Sequence, residues 1–252
     1  MKIEVERRPA EELFPIHERL RAKANCQLIR DSYWKRGFLE PWALAIDGKV
    51  VGEGAIGNRH FAGRVIEFYV LPEFRARAVE LFAELLRVSG AKEIEAQTNV
   101  ALIAAMVREF ATETRTENLL FAEGSARALA APAGAVFRRK REAGELPVFE
   151  HGGEPEGDWV IEVEGAIVAT GGFLTHYNPP YADLYMEVEA SRRRRGFGSY
   201  LIQELRRVCR EAGKKPAARC DVGNVPSRKT LERGGMAVCG EMVAGKVRRE
   251  QR

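Results

Sequence analysis

Residues 184–205 read LYMEVEASRRRRGFGSYLIQEL. Leu184, Met186 and Val188 alternate with Tyr185, Glu187 and Glu189, the period-two pattern of a strand. Four arginines follow, Arg192, Arg193, Arg194 and Arg195, then Gly196-Phe197-Gly198. Beyond them Leu201, Ile202, Leu205, Val208 and Cys209 fall on one face of a helix. A strand, a basic glycine loop and a helix together make a place to hold a phosphate. Glycines let a polyanion approach the backbone. The first helical amides have no intrahelical partner, and the positive end of the helix dipole faces the ligand. Arginines add charge and planar donors.

Two common phosphate loops do not fit. A P-loop needs Gly-Lys-Ser or Gly-Lys-Thr, whereas Gly198 is followed by Ser199-Tyr200. A dinucleotide fold wants a third glycine where this chain has Leu201. The run Arg193-Arg194-Arg195-Gly196-Phe197-Gly198, preceded by Val188-Glu189-Ala190, instead resembles the pyrophosphate loop of the GNAT superfamily of acetyl-CoA-dependent N-acyltransferases. That loop reads Arg/Gln-x-x-Gly-x-Gly/Ala after a strand. The family's second mark is an Asn opening a short helix that ends in Gly-aromatic. Here it resembles Asn224-Val225-Pro226-Ser227 followed by Leu231-Glu232-Arg233-Gly234-Gly235-Met236, with Met236 replacing the aromatic. The resemblance covers the last third of the chain closely and the rest loosely. It implies that acetyl-CoA is the cosubstrate, held by Val188, Glu189, Arg193, Arg194, Arg195, Gly196, Phe197, Gly198, Ser199, Asn224 and Ser227.

Composition agrees with a globular protein. The 252 residues are ample for one or two domains, and 45% hydrophobic with 30% charged content is that of a soluble protein. A net charge of only +4 gives no global footprint of a nucleic-acid binder. The basic residues cluster at 192–195 and in the tail 246–252, which favours a local anionic ligand. Cys26, Cys209, Cys220 and Cys239 show neither disulfide nor zinc spacing, so no metal is expected. No stretch approaches the roughly 18 apolar residues of a spanning helix. The start, MKIEVERR, reads as a strand rather than a signal peptide. A cytoplasmic protein without membrane or nucleic-acid partners is the expectation.

An internal repeat underlies the chain. With Val70 laid on Val188, Arg75 falls on Arg193, Arg77 on Arg195, Ala78 on Gly196, Val79 on Phe197 and Glu80 on Gly198. Residues 42–46 and 49–57 read as a hairpin through Asp47-Gly48, and residues 159–163 and 166–173 as its counterpart through Glu164-Gly165. Downstream, strand 94–98 leads to Asn99 as strand 217–222 leads towards Asn224. The expected fold is therefore α/β (α+β): two GNAT-like domains, each a mixed, mostly antiparallel twisted sheet flanked by helices. Residues 1–130 form a degenerate copy without the coenzyme loop, and residues 131–252 form the acetyl-CoA-binding copy. The first copy keeps a long helical region over residues 10–36, but Glu80 puts a carboxylate where a pyrophosphate would sit. The second copy's run-up, residues 144–155, is full of breakers and lacks such a helix. The first domain is thus expected to supply part of the acceptor wall, from the region of Tyr33, Trp34 or Trp42.

By the same resemblance, an amine attacks the acetyl thioester while pantetheine pairs with the backbone around residues 186–189. A carboxylate base is the chemical need. The family's frequent glutamate would fall near Ala182 and so is not in place, and Glu187 is taken as the candidate base. Glu187, Glu189 and Asp183 share one face of the strand. The family's frequent tyrosine acid falls at Leu231, so either the thiolate leaves unaided or Tyr181 or Tyr185 serves. The loop 175–181 precedes the strand and could line the acceptor side, with His176 read as a surface histidine. Cys220 reads as a small buried residue, and Asn224 equally as a helix N-cap or a pantetheine contact. The leading reading is an N-acetyltransferase acting on a small-molecule or peptide amine. The alternative is a non-catalytic acyl-CoA-binding sensor, which the missing tyrosine allows.

Overall fold

Both turn dipeptides form tight hairpins. Asp47 and Gly48 take φ of 47° and 78°, and Glu164 and Gly165 take 52° and 81°, the paired positive values that match the strand twist. The computed structural model describes residues 2–125, 128–141, 145 and 155–248. Most of the breaker-rich run-up at 144–155 lies outside the described residues.

The chain divides into two compact units, residues 1–118 with 240–252, and residues 119–239. The first unit opens with β1 (Ile3–Arg7), α1 (Ala10–Lys23) and α2 (Asp31–Lys35). The hairpin β2 (Leu39–Ile46) and β3 (Lys49–Gly57) follows, then β4 (Arg64–Val70), a 3-10 turn Pro72–Arg77, α3 (Ala78–Ser89), β5 (Glu93–Gln97) and α4 (Ala101–Phe110). Then β6 (Ala111–Glu123) leads into the second unit, which holds β7 (Val136–Arg139), β8 (Trp159–Val163), β9 (Ala166–Leu174) and β10 (Tyr181–Val188). A 3-10 turn Ala190–Arg192, α5 (Phe197–Glu211), β11 (Lys215–Asp221) and α6 (Val225–Arg233) complete it. The last strand, β12 (Met236–Val247), returns most of its length to the first unit and pairs with β5.

Strand order repeats. The first unit runs β1-β2-β3-β4-β5-β12, and the second places β11-β10-β9-β8-β7 in the matching sequence. Neighbours β2 and β3, β3 and β4, β8 and β9, and β9 and β10 are antiparallel, whereas β4 pairs β5 and β10 pairs β11 in parallel. The fold is mixed α/β with mostly antiparallel pairing, as the hydrophobic alternation and turn signals predict.

Each unit has its own core. In the first, Leu81, Phe82 and Leu85 of α3 pack with Leu44, Val51, Phe68 and Ile94 of the strands. In the second, Leu201, Ile202, Leu205 and Cys209 of α5 pack with Ala182, Leu184 and Val188 of β10. The even-numbered residues of β10 therefore face the helix. Arg206, which sequence pattern alone would leave in solvent, is buried on α5. Its guanidinium donates to Gly234 O (2.9 Å), Gly124 O (3.0 Å) and Glu123 Oε1 (2.9 Å), fixing the helix against the ends of β6 and α6.

Candidate functional site

In the second unit, β10 and β11 pair in parallel only from Tyr181–Lys215 to Asp183–Ala217, after which the pairing stops. On its other edge β10 stays paired with β9 as far as Val188, opposite Ala169. Glu189 N donates towards β9, to Val168 O at 2.9 Å. Backbone groups alternate along a strand, so the amides of Val188 and Met186 point to the edge that β11 has left. A wedge thus opens beside the second half of β10.

The arginine run closes this strand onto α5. Arg192 N and Arg193 N turn back to Glu189 O (2.9 Å) and Ala190 O (3.4 Å). Arg194 and Gly196 then take positive φ, 61° and 90°. Only glycine holds the second value without strain, and Gly196 is the N-cap of α5. The first helical amide to find an acceptor is that of Tyr200, on Gly196 O at 3.0 Å. Among the described residues, the amides of residues 194–199 donate to no acceptor. Six consecutive unpartnered donors at a helix N-terminus form a nest suited to an anion.

The side chains divide by role. Arg193 Nε donates to Val188 O (3.1 Å), which pins the loop to the strand. Glu189 accepts from Ser191 Oγ (2.7 Å) and lies 3.7 Å from Arg192 Nε. Arg194 and Arg195 are exposed, the latter with its guanidinium 5.9 Å from the Phe197 ring centroid. Phe197 and Ser199 are buried, so what they offer a ligand is main chain. Gly198 adjoins α6: a Cβ there would stand 3.1 Å from Thr230 Cγ2. Asn224 caps α6, its Oδ1 accepting from Ser227 N at 3.1 Å. The N-cap reading of Asn224 is therefore the one the geometry displays, and the two sequence marks meet through Gly198 and Thr230.

The opposite face of β10 is polar. Tyr181, Asp183, Tyr185 and Glu187 alternate onto it, away from α5. Glu187 is half-buried and stands opposite Thr170 of β9. Tyr185 lies with its ring against Gly172, whose missing Cβ makes room for it. Asp183 is buried with Arg219 Nε 3.7 Å from its Oδ2, and the Arg219 guanidinium sits 5.8 Å from the Tyr177 ring centroid. Tyr177 and Asn178 of the preceding loop are buried, and the His176 ring lies tilted against that of Tyr177 with centroids 4.2 Å apart. Leu231 is buried in the core of the second unit and offers no proton there.

The first unit shows the same wedge, closed. Parallel pairing of β4 with β5 spans only Arg64–Glu93 and Val65–Ile94. Beyond it, Gln97 Nε2 donates to Gln27 O (2.8 Å) and Gln97 Oε1 accepts from Ile29 N (2.6 Å). Leu28, held between them, packs with Tyr69, Leu71 and Val100. The Gln97 side chain thus ties the loop after α1 to the end of β5. At the start of α3, Arg77 pairs with Glu80 (2.5 Å), whose carboxyl this bond holds below its usual range. A carboxylate of the first turn thus faces the helix dipole where an anion would otherwise sit.

Sequence reasoning missed a buried cluster in the first unit. His17 of α1 lies between Asp31 (Nε2 to Oδ1, 3.2 Å) and Glu53 (Nδ1 to Oε1, 3.1 Å), with Glu67 Oε2 3.7 Å from Nδ1. Burial pulls the imidazole down, but Glu67, Asp31 and Glu53 outweigh it and raise its pKa to about 10. Burial pushes Glu53 up to about 7, against the pull of His17. Trp34, expected to face an acceptor, is instead buried here, its Nε1 donating to Glu67 and its ring 4.5 Å from that of His17. Trp42 is buried in the core of the same unit. The signal in the sequence was faint: Glu53 and Glu67 sit at inward positions of otherwise apolar strands.

Residues 127–236 match the model of the acetyltransferase (GNAT) family. Solved structures extend the fold to the whole chain. An acetyltransferase of the GNAT family from Colwellia psychrerythraea is 17% identical with a TM-score of 0.72, over 98% of this chain and 100% of that one. A tandem GNAT protein from the clavulanic acid biosynthesis pathway is 14% identical with a TM-score of 0.58, over 99% and 100%. A GCN5-related N-acetyltransferase from Sphaerobacter thermophilus is 13% identical with a TM-score of 0.56, over 98% and 96%. At these identities the likeness is one of fold. No curated protein matches the sequence. Among the described residues, no helix is long and apolar enough to cross a membrane.

Proposed function

We propose that the protein is an N-acetyltransferase that takes acetyl-CoA in its second unit and acetylates a primary amine. The observation that carries this reading is the run of unpartnered amides over residues 194–199, set beside the open edge of β10. The fit is specific in kind. The amide nest with Arg194 and Arg195 suits a pyrophosphate, and the amides of Met186 and Val188 suit the amide-bearing arm of pantetheine. Bound there, acetyl-CoA supplies an activated acetyl thioester.

The chain's own residues then have three tasks. The glycine loop holds the charged end and the β10 edge orients the arm, which fixes the geometry of attack. An edge amide near Met186 donates to the carbonyl oxygen as charge develops on it. Glu187 accepts the proton of the attacking amine, directly or through water. Leu231 supplies no acid, so Tyr185 or the departing thiolate's own stability covers that step.

The test is release of free thiol from acetyl-CoA with a panel of small amines and peptides. Amine-dependent release that is lost in Glu187→Gln, with coenzyme affinity kept, supports the reading. Tight coenzyme binding without release for any amine points to an acyl-CoA sensor, a reading that the buried Leu231 favours.

A further inference from the structure

We propose that the first unit carries a divalent metal site formed by His17, Glu53 and Glu67, with zinc as its ion. One donor atom from each residue lies within 4.8 Å of the other two. The separations from His17 Nδ1 are 3.1 Å to Glu53 and 3.7 Å to Glu67. Donors about 2.1 Å from a tetrahedral zinc stand about 3.4 Å apart, so the three need to move little.

Two further observations point to a cation rather than to a closed hydrogen-bond network. Glu53 is fully buried, yet its Oε2 has no hydrogen-bond partner. Such an orphaned carboxylate oxygen is costly unless something positive meets it. The Tyr69 hydroxyl, opposite Glu53 on the neighbouring strand, is likewise buried without a partner.

The surroundings are those of a metal-bound imidazole. Asp31 Oδ1 sits 3.2 Å from His17 Nε2, the carboxylate partner that fixes the tautomer and leaves Nδ1 for the ion. Arg21 Nε, 3.0 Å from the same oxygen, holds Asp31 in turn. Trp34 Nε1 orients Glu67. One nitrogen and two carboxylate oxygens, with no sulfur, suit zinc among the common ions. The ligands come from α1, β3 and β4, so the ion would tie the helix to the sheet. The site is a structural clamp and takes no part in acetyl transfer.

The experiment uses the full chain as Cys239→Ser, because Cys239 is the exposed thiol among the described cysteines and would bind zinc adventitiously. The protein is stripped with a chelator, dialysed against zinc sulfate and assayed for metal. We expect one equivalent per chain, none in Glu53→Gln, and affinity about 10–100-fold weaker in Asp31→Asn. Cobalt in the unsubstituted pocket should give visible d–d bands without a thiolate charge-transfer band, a readout that does not depend on any pocket variant folding. Failure to retain zinc, retention in folded Glu53→Gln, or a thiolate band with cobalt each overturns the proposal.

Discussion

Asp183 and Ala217 form the last parallel pair between β10 and β11, and the open edge of the second unit begins immediately after them. Val65 and Ile94 end the corresponding pairing in the first unit. The two wedges share a topology and differ in their occupants. The second exposes alternate backbone groups of β10, whereas the first is bridged by Gln97 to the chain's own residues 27 and 29. One architecture is thus open in the second unit and bridged in the first.

The Gln97 bridge should be a stability element of the first unit. Gln97→Ala leaves the buried Ile29 amide and the Gln27 carbonyl without this partner. The expected loss is about 1–3 kcal/mol, read as a lower midpoint in urea denaturation. Coenzyme stoichiometry should stay unchanged, because Leu28 and the Arg77–Glu80 pair still close the unit. A midpoint equal to that of the parent chain would show that the bridge is incidental.

Gly196 and Gly198 fail differently when substituted. Gly196→Ala forces a side chain to φ of 90°, at a cost of about 1–2 kcal/mol, and shifts the amide nest. Gly198→Glu places a carboxylate at the start of α5, as Glu80 does in α3, and should abolish coenzyme binding in a protein with unchanged circular dichroism. Its Cβ meets only the Thr230 methyl closer than ordinary contact, which a small adjustment relieves. A folded Gly198→Glu protein with the parent's affinity would contradict the placement of the pyrophosphate.

Thiol labelling should single out Cys239. Cys26, Cys209 and Cys220 are buried. Burial above all, with Glu123 nearby, pushes the Cys209 thiol up to about 11, and burial raises Cys220 as well. At pH 8 one thiol per native chain should react quickly with a disulfide reagent, and four after denaturation. Fast modification of Cys209 in the native protein would mean that the α5 face is not packed as described.

The hairpins, the glycine loop and the repeat were legible because each rests on local chemistry. Asp47-Gly48 and Glu164-Gly165 require positive φ, and Gly196 caps a helix whose apolar face is periodic. The register from Val70 and Val188 carries both copies into a helix within one residue, at Ala78 and Phe197. Long-range pairing was not legible. Nothing local shows that residues from Gly240 onward belong to the first unit, or that Gln97 reaches Gln27, because neither depends on neighbours in sequence. Trp34 and Trp42 looked like binding aromatics, but their environment is set by tertiary packing around His17 and β1–β2. Asn224 offered a cap and a ligand contact equally, and the cap is what its geometry displays.

Calorimetric titration of the full chain with acetyl-CoA tests the central claim most directly. One wedge is open and one is bridged, so the account predicts one site per chain, lost in Gly198→Glu and kept in Glu80→Gly. Two equivalent sites, or a single site that survives Gly198→Glu in folded protein, would contradict it.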